Sequence, residues 1–432
     1  MTGAALREAW RAAGPNGWFA LLGICVALSP ANSKLAGASW LVICTAGAVA
    51  AWRNWRSLTP SSDTGVIDAS RVWLICCAVA AALASTMALV WPDGPDTLHA
   101  EYRLLTAAAA VHVLLRGQHN AAAWRAYTLP ALGLACVTAL FKVALTPDRL
   151  FLPSNALPWA VAVTFVLCLL LPRLLDRAQP LAGRRWYGVA VALGVGAVLM
   201  SQSRGAYGVL VWCLWLAAVA WRRSHAQVRL RKVAVATSAM LILLGASAWH
   251  PADPLRLRMA VTEVTQAESQ GHYNTSMGAR IYLWSLGWKA FAESPLIGVG
   301  GAERLRRIHN AGLDLPAAQR GQLVVVRKVG HVHNQYLHAA MDGGLIGLAA
   351  TLAVLVGLGW AALRLYRVDR VASLQLQGLL FMHATAGLTN VNMAHNYYAA
   401  MLSVAVALVL LGAKQAQHPL TSVADDSPAT GR

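Results

Sequence analysis

The residues best equipped for chemistry lie in "GHVHNQYLHAAMDGGLIG", residues 330–347, where His331, His333 and His338 fall within eight positions. A neutral imidazole can take a proton from a hydroxyl or bind a metal. His331-x-His333 would suit two ligands of a zinc ion, but no cysteine and few carboxylates lie nearby to complete a site, so no metal is expected. His333 is the better candidate for a general base, a role that typically contributes about 10²–10⁴-fold in rate. If residues 333–338 are helical, His333 and His338 project about 140° apart and do not share a face. At least one of the three histidines then serves packing or is simply solvated.

Two arginines complete the constellation. Arg204 lies in "SQSRGAYG", residues 201–208, whose small neighbours leave its guanidinium open to a bulky phosphate. The plainer reading is an anchor that snorkels to lipid headgroups. Arg280 falls in the first turn of a helix expected over Met277–Glu293, where a forked donor would join free backbone N–H groups and the positive dipole end. Its plainer reading is a solvated surface arginine. Cations close to His333 would keep it neutral at physiological pH. The same cations would stabilise a departing pyrophosphate, a task often given to a metal. The pattern therefore points to an anionic, lipid-linked donor handled without a cofactor.

These residues need elements to hold them, and the composition says which. The chain of 432 residues is 57% hydrophobic and 12% charged, with mean hydropathy +0.50; a soluble domain carries about 25% charged residues. Apolar runs predict about twelve transmembrane helices near 16–32, 36–52, 72–92, 100–116, 124–145, 156–175, 186–202, 205–221, 233–250, 335–363, 371–389 and 393–413. The first run has no small-residue cleavage site and reads as a retained span. Most Lys and Arg fall in alternate connections, which places both termini in the cytoplasm. The net charge of +18 is largely this topological signal, together with attraction to anionic membrane lipids; no aromatic-interleaved basic face suggests nucleic acid. All seven cysteines lie in apolar runs, so no disulfide framework is expected.

The organisation that follows has helices 1–9 in residues 1–250, an outward loop at 251–334, helices 10–12 in 335–413 and a disordered cytoplasmic tail at 414–432. The loop holds ten Lys and Arg against six Asp and Glu, a cationic surface that calls for an anionic ligand. Within it, Ile281, Trp284, Trp288 and Phe291 recur at helical spacing as one apolar stripe, with Asn274, Thr275 and Ser276 as available caps and Pro295 as a stop. "AERLRRIH" predicts a second short helix. The glycines of "GGLIG" are read as permitting close helix packing.

At these motifs the sequence resembles the O-antigen ligase and O-antigen polymerase superfamily of bacterial envelope glycosyltransferases. The resemblance rests on "GARIYLWSLGWKAFAESPLIGVGGAERL", residues 278–305, on "SQSRGAYG", and on His333-Asn334 followed by nine residues, Gly344, two residues and Gly347. It implies an all-α polytopic fold of the type-C glycosyltransferase kind with one large, partly helical periplasmic loop. It also implies transfer of O-antigen polysaccharide from undecaprenyl pyrophosphate to lipid A-core at the periplasmic face of the Gram-negative inner membrane, without metal or cofactor and with inversion. Carried over, Arg204 and Arg280 would bind pyrophosphate and His333 would activate the acceptor hydroxyl. Asn334 and His338 are candidate supporting residues, and Arg327, Lys328 and His331 form a cationic rim suggested by position alone. An O-antigen polymerase or protein O-oligosaccharyltransferase of the same superfamily is the alternative. A transporter of lipid-linked sugars fits less well, because spans contain few acidic residues beyond Asp342 and Glu101.

Overall fold

The computed structural model describes residues 17–54, 64–92, 99–116, 121–148, 151–176, 179–222, 250, 253, 255–313, 315–316 and 320–413. Among them the regular structure is helical throughout. Eight helices precede the loop: α1 (Gly17–Leu28), α2 (Ser33–Asn54), α3 (Thr64–Val90), α4 (His99–Arg116), α5 (Ala121–Ala144), α6 (Ala156–Leu175), α7 (Leu181–Met200) and α8 (Gly208–Arg222). The loop contributes α9 (Leu257–Gln270), α10 (Ser276–Glu293), α11 (Gly301–His309) and α12 (Val324–Arg327). Then come α13 (Gln335–Leu365), α14 (Arg370–Gly387) and α15 (Asn396–Gly412). The expected span at 233–250, apart from His250, and the tail at 414–432 lie outside the described residues.

Five of these helices are long and apolar enough to cross a membrane, over 33–53, 65–90, 124–144, 156–175 and 335–365. Gly17–Leu28, Arg204–Val219 and Asn396–Gly412 are apolar but shorter. The chain is thus an all-α membrane protein with five candidate spans among the described residues.

Helices α6 and α15 form the centre of the bundle. Pro158–Arg173 and Tyr397–Gly412 are buried without a break, as suits helices that are apolar on every side. Several polar groups within the bundle are paired across helices, which spares the several kcal/mol that an unsatisfied one costs away from water. Trp159 Nε1 donates to Pro30 O at 2.9 Å, and Gln375 Nε2 donates to Leu169 O at 2.5 Å. His383 Nδ1 lies 2.8 Å from the Tyr398 hydroxyl.

The helix that follows the histidines is not continuous. Gly344 breaks α13 with φ 59° and ψ −147°, a conformation outside the helical region that side-chain-bearing residues rarely adopt. The backbone groups released there pair with the turn at residues 295–300. Leu345 N donates to Pro295 O at 2.7 Å, Val299 N to Met341 O at 2.8 Å and Gly300 N to Asp342 O at 3.1 Å. A Cβ at Gly298 would meet the Asp342 carbonyl carbon at 2.5 Å, and one at Gly344 would overlap the Leu296 carbonyl. Gly298 and Gly344 therefore let two backbones interlock, a role added to the helix packing expected for "GGLIG", which Gly343 serves against Met87 of α3.

The loop builds its own small core from Ala279, Leu283, Ala290, Ile308, Leu323, Val326 and Val332, closed against Met341 of α13. The face of α10 turned to this core is not the apolar stripe of Ile281, Trp284, Trp288 and Phe291. Ala279, Leu283, Gly287 and Ala290 face inward, while Trp288 is 64% exposed. The glycine and alanines win the inner face because α10 packs closely on α13; a Cβ at Gly287 would touch Leu337 Cγ at 2.9 Å. Thr275 caps α10, its Oγ1 accepting from Gly278 N at 3.0 Å, and the expected second helix is α11.

Candidate active site

Asn334 is the N-cap of α13. Its Oδ1 accepts the N–H groups of Tyr336 and Leu337 at 3.1 and 3.0 Å, so the helix starts at Gln335. His333 is thereby left just outside the helix, at φ 54°, in the left-handed region. That turn swings its ring away from α13 and toward the connection between α14 and α15. His333 Nδ1 lies 3.1 Å from Asn390 Oδ1, and Asn390 Nδ2 donates to Asn392 Oδ1 at 3.0 Å. Both asparagines are buried. In this arrangement Nδ1–H donates to Asn390, and the lone pair falls on Nε2, the nitrogen free to act as a base.

The Arg204 turn reaches the same place from below. Arg204 opens a 3₁₀ turn, Arg204–Ala206, between α7 and α8. Gly205 in that turn packs on Thr389, the neighbour of Asn390, so closely that a Cβ would overlap the threonine hydroxyl. Arg204 Nη1 donates to Arg256 O at 3.1 Å, and Nη2 lies 4.0 Å from Glu263 Oε2. The same Glu263 oxygen accepts the Met277 N–H at 2.9 Å, in the first turn of α10. Glu263, on α9, thus ties the Arg204 turn to the helix that carries Arg280.

Arg280 lies close enough to act on both His331 and His333 electrostatically. Its Nη1 donates to Ser276 Oγ at 3.1 Å. The start of α10 is less open than the sequence suggested: Met277 N and Gly278 N are already taken by Glu263 and Thr275. Phosphate recognition here would fall to the guanidiniums more than to the helix end.

Burial holds His333 down at about 3, with the His331 ring and the Arg280 guanidinium adding to the effect and the Asn390 hydrogen bond acting against it. His331 is also held at about 3, first by burial and then by His338, His395, Arg304 and Arg280. The two rings meet edge to face, 4.3 Å between centroids. Among the described residues no group of three or more His, Cys, Asp or Glu side chains is arranged to hold a metal ion.

Sequence reasoning missed the support behind this site. Arg304 on α11 is buried; its Nε donates to Asp342 Oδ1 and Oδ2 at 2.8 and 3.0 Å, and its Nη1 donates to Gly330 O. His338 Nε2 lies 3.6 Å from Asp342 Oδ2. This network clamps the residue before His331 to α13. Asp342 had registered only as an acidic residue in a span, and Asn390 and Asn392 had not registered as candidates. The expected cationic rim is different in detail. Arg327 donates to Ala311 O and Arg320 O at 3.1 and 3.0 Å, binding the loop together, and Lys328 is exposed.

The structure therefore brings Arg280 within electrostatic reach of His331 and His333, adds Asn390 as an unforeseen partner of His333, and links the Arg204 turn to this group through Glu263 and through Gly205 packed on Thr389. No curated protein matches the chain. Residues 189–352, which contain both arginines and the three histidines, match the family model described as O-antigen ligase, and this segment supports a relation to the O-antigen ligase superfamily.

Proposed function

We propose that the protein is an O-antigen ligase that moves polysaccharide from undecaprenyl pyrophosphate to a sugar hydroxyl of lipid A-core. The observation that carries this reading is Arg280 beside an oriented His333, with the Arg204 turn tied to the Arg280 helix through Glu263, inside a segment that matches a family of glycosyltransferase-like enzymes. Arg204 and Arg280 receive the two phosphates, which are large, doubly charged and matched to forked donors. The acceptor oxygen attacks the anomeric carbon and forms the new C–O bond. The bond to the pyrophosphate oxygen breaks, its electron pair leaves on the pyrophosphate, and the acceptor proton passes to His333 Nε2. One displacement inverts the anomeric carbon.

The low proton affinity of His333 belongs to the site without its donor. A bound pyrophosphate would offset the Arg280 field and raise the basicity of the ring, so the base strengthens when the leaving group is in place. The reading includes about twelve transmembrane helices, both termini in the cytoplasm and a site on the periplasmic face of a Gram-negative inner membrane. It needs no metal or cofactor.

The test uses detergent-purified protein in EDTA, given undecaprenyl-pyrophosphate-linked O-antigen and lipid A-core, with wild type, His333→Ala and Arg280→Ala run together. Transfer by wild type alone supports the ligase. Lengthening of the donor without acceptor would make the protein a polymerase, and activity that returns only with added zinc or magnesium would refute metal independence.

A further inference from the structure

A cavity of about 300 Å³ lies on the far side of α13 from α10, the helix that carries Arg280. It is lined by Glu101, Gln335, His338 and Asp342 together with small residues such as Ala88 and Ala350. Going round α13, the residues that face it (Gln335, His338, Ala339 and Asp342) point about 100–160° away from Leu337, the contact with α10. Arg280's helix and the cavity are thus on opposite flanks of the same first turns, and His333 stands at the tip where the flanks meet. Val391 also lines the cavity, and its neighbour Asn390 holds His333.

The lining has an unusual charge for this protein. In a chain of net charge +18 the described residues that line the cavity include no Lys or Arg, but do include two carboxylates, Glu101 and Asp342. Asp342 is paired with the buried Arg304, so its charge is balanced from behind. The His338 Nδ1 is buried without a hydrogen-bond partner among the described residues. Such a lining repels phosphate. It offers carboxylate and amide oxygens, which accept hydrogen bonds from hydroxyl groups, and an imidazole nitrogen with capacity to spare.

From this placement we infer that the cavity is the acceptor's sugar site, taking a neutral, hydroxyl-bearing saccharide unit while the pyrophosphate binds across α13. The inference rests on the reading of His333 as the base of an inverting transfer. Direct displacement requires the attacking oxygen and the departing oxygen on opposite sides of the anomeric carbon. A base at the tip of α13, the Arg280 helix on one flank and a hydroxyl-receptive cavity on the other satisfy that requirement. The volume fits one or two sugar rings, so the lipid part of the acceptor remains outside.

The experiment places a thiol in the cavity wall with Ala88→Cys and follows its alkylation by a maleimide, peptide by peptide, in detergent-purified full-length protein. The probes are lipid-free core oligosaccharide and inorganic pyrophosphate. The oligosaccharide is expected to slow alkylation several-fold and pyrophosphate to leave it unchanged. Protection by pyrophosphate, or none by the oligosaccharide, overturns the assignment. This readout needs no turnover, so a wild type that fails to transfer would sink the ligase reading and leave the saccharide result standing. In the transfer assay Ala88→Phe is expected to raise the acceptor KM about tenfold, equivalent to roughly 1.4 kcal/mol, with the donor KM unchanged. A rise in the donor KM instead would assign the cavity to the donor.

Discussion

Replacing Arg304 by Met should loosen the site from behind without touching either proposed phosphate ligand. The wild-type guanidinium is buried, donates to both Asp342 oxygens at 2.8 and 3.0 Å, and holds Gly330 O. Met keeps most of the volume and removes the charge, leaving the Asp342 carboxylate, 19% exposed, without its cation. Breaking a buried pair from one side costs about 3–5 kcal/mol, and the freed Gly330 carbonyl adds about 1 kcal/mol. His338, 3.6 Å from Asp342, can take up part of the lost interaction, which favours the lower end of that range. Against a total stability of about 5–15 kcal/mol this is a large fraction. The double variant Arg304→Met/Asp342→Leu removes both charges and should recover most of the loss, since such pairs can often be replaced by apolar residues at little cost. Unfolding can be followed with a thiol-reactive fluorophore in detergent at one scan rate, because the seven cysteines are free and are buried or half-buried. The single variant should unfold several degrees below wild type and the double variant between them. A single variant as stable as wild type, or a double variant as poor as the sum of the two singles, would show that the pair does not form.

The remaining predictions follow from the same geometry. Gly344→Ala places a Cβ on the Leu296 carbonyl and a side chain at φ 59°, so a loss of about 1–3 kcal/mol in backbone strain should appear as a lower Tm and reduced transfer; unchanged thermal unfolding would contradict the interlocked turn. His331 and His333, held at about 3 in the folded protein, bind protons in the unfolded chain from about pH 6.5 downward. Stability should therefore be flat above that pH and fall toward pH 3 by up to about 1.4 kcal/mol per pH unit per histidine, and His333→Gln should reduce the slope; an equal slope in the variant would refute the assignment. Glu263→Gln removes the carboxylate that competes for Arg204 while keeping an acceptor for Met277 N, so the donor KM should fall about two- to fivefold. A higher KM would mean that Glu263 aligns Arg204 for the donor.

The sequence by itself determined the class of the molecule and the kind of chemistry to look for. Apolar runs marked the helices because burial in lipid is read directly from composition. Arg204, Arg280 and His333 stood out because charged or titratable groups at the ends of such runs are costly without a purpose. Thr275 was legible as a cap because a cap acts on its own next turn. The tertiary structure alone decided what depends on contacts between distant segments. It broke α13 at Gly344, because the turn at 295–300 supplies the missing backbone partners from some fifty residues away. It turned α10 so that glycine and alanine face inward and Trp288 outward, since close approach to α13 outweighs the apolar stripe. It gave His333 its partner in Asn390, 57 positions along the chain, and gave Arg304 to Asp342. No local periodicity encodes such pairs: they exist only where helices far apart in sequence are packed side by side.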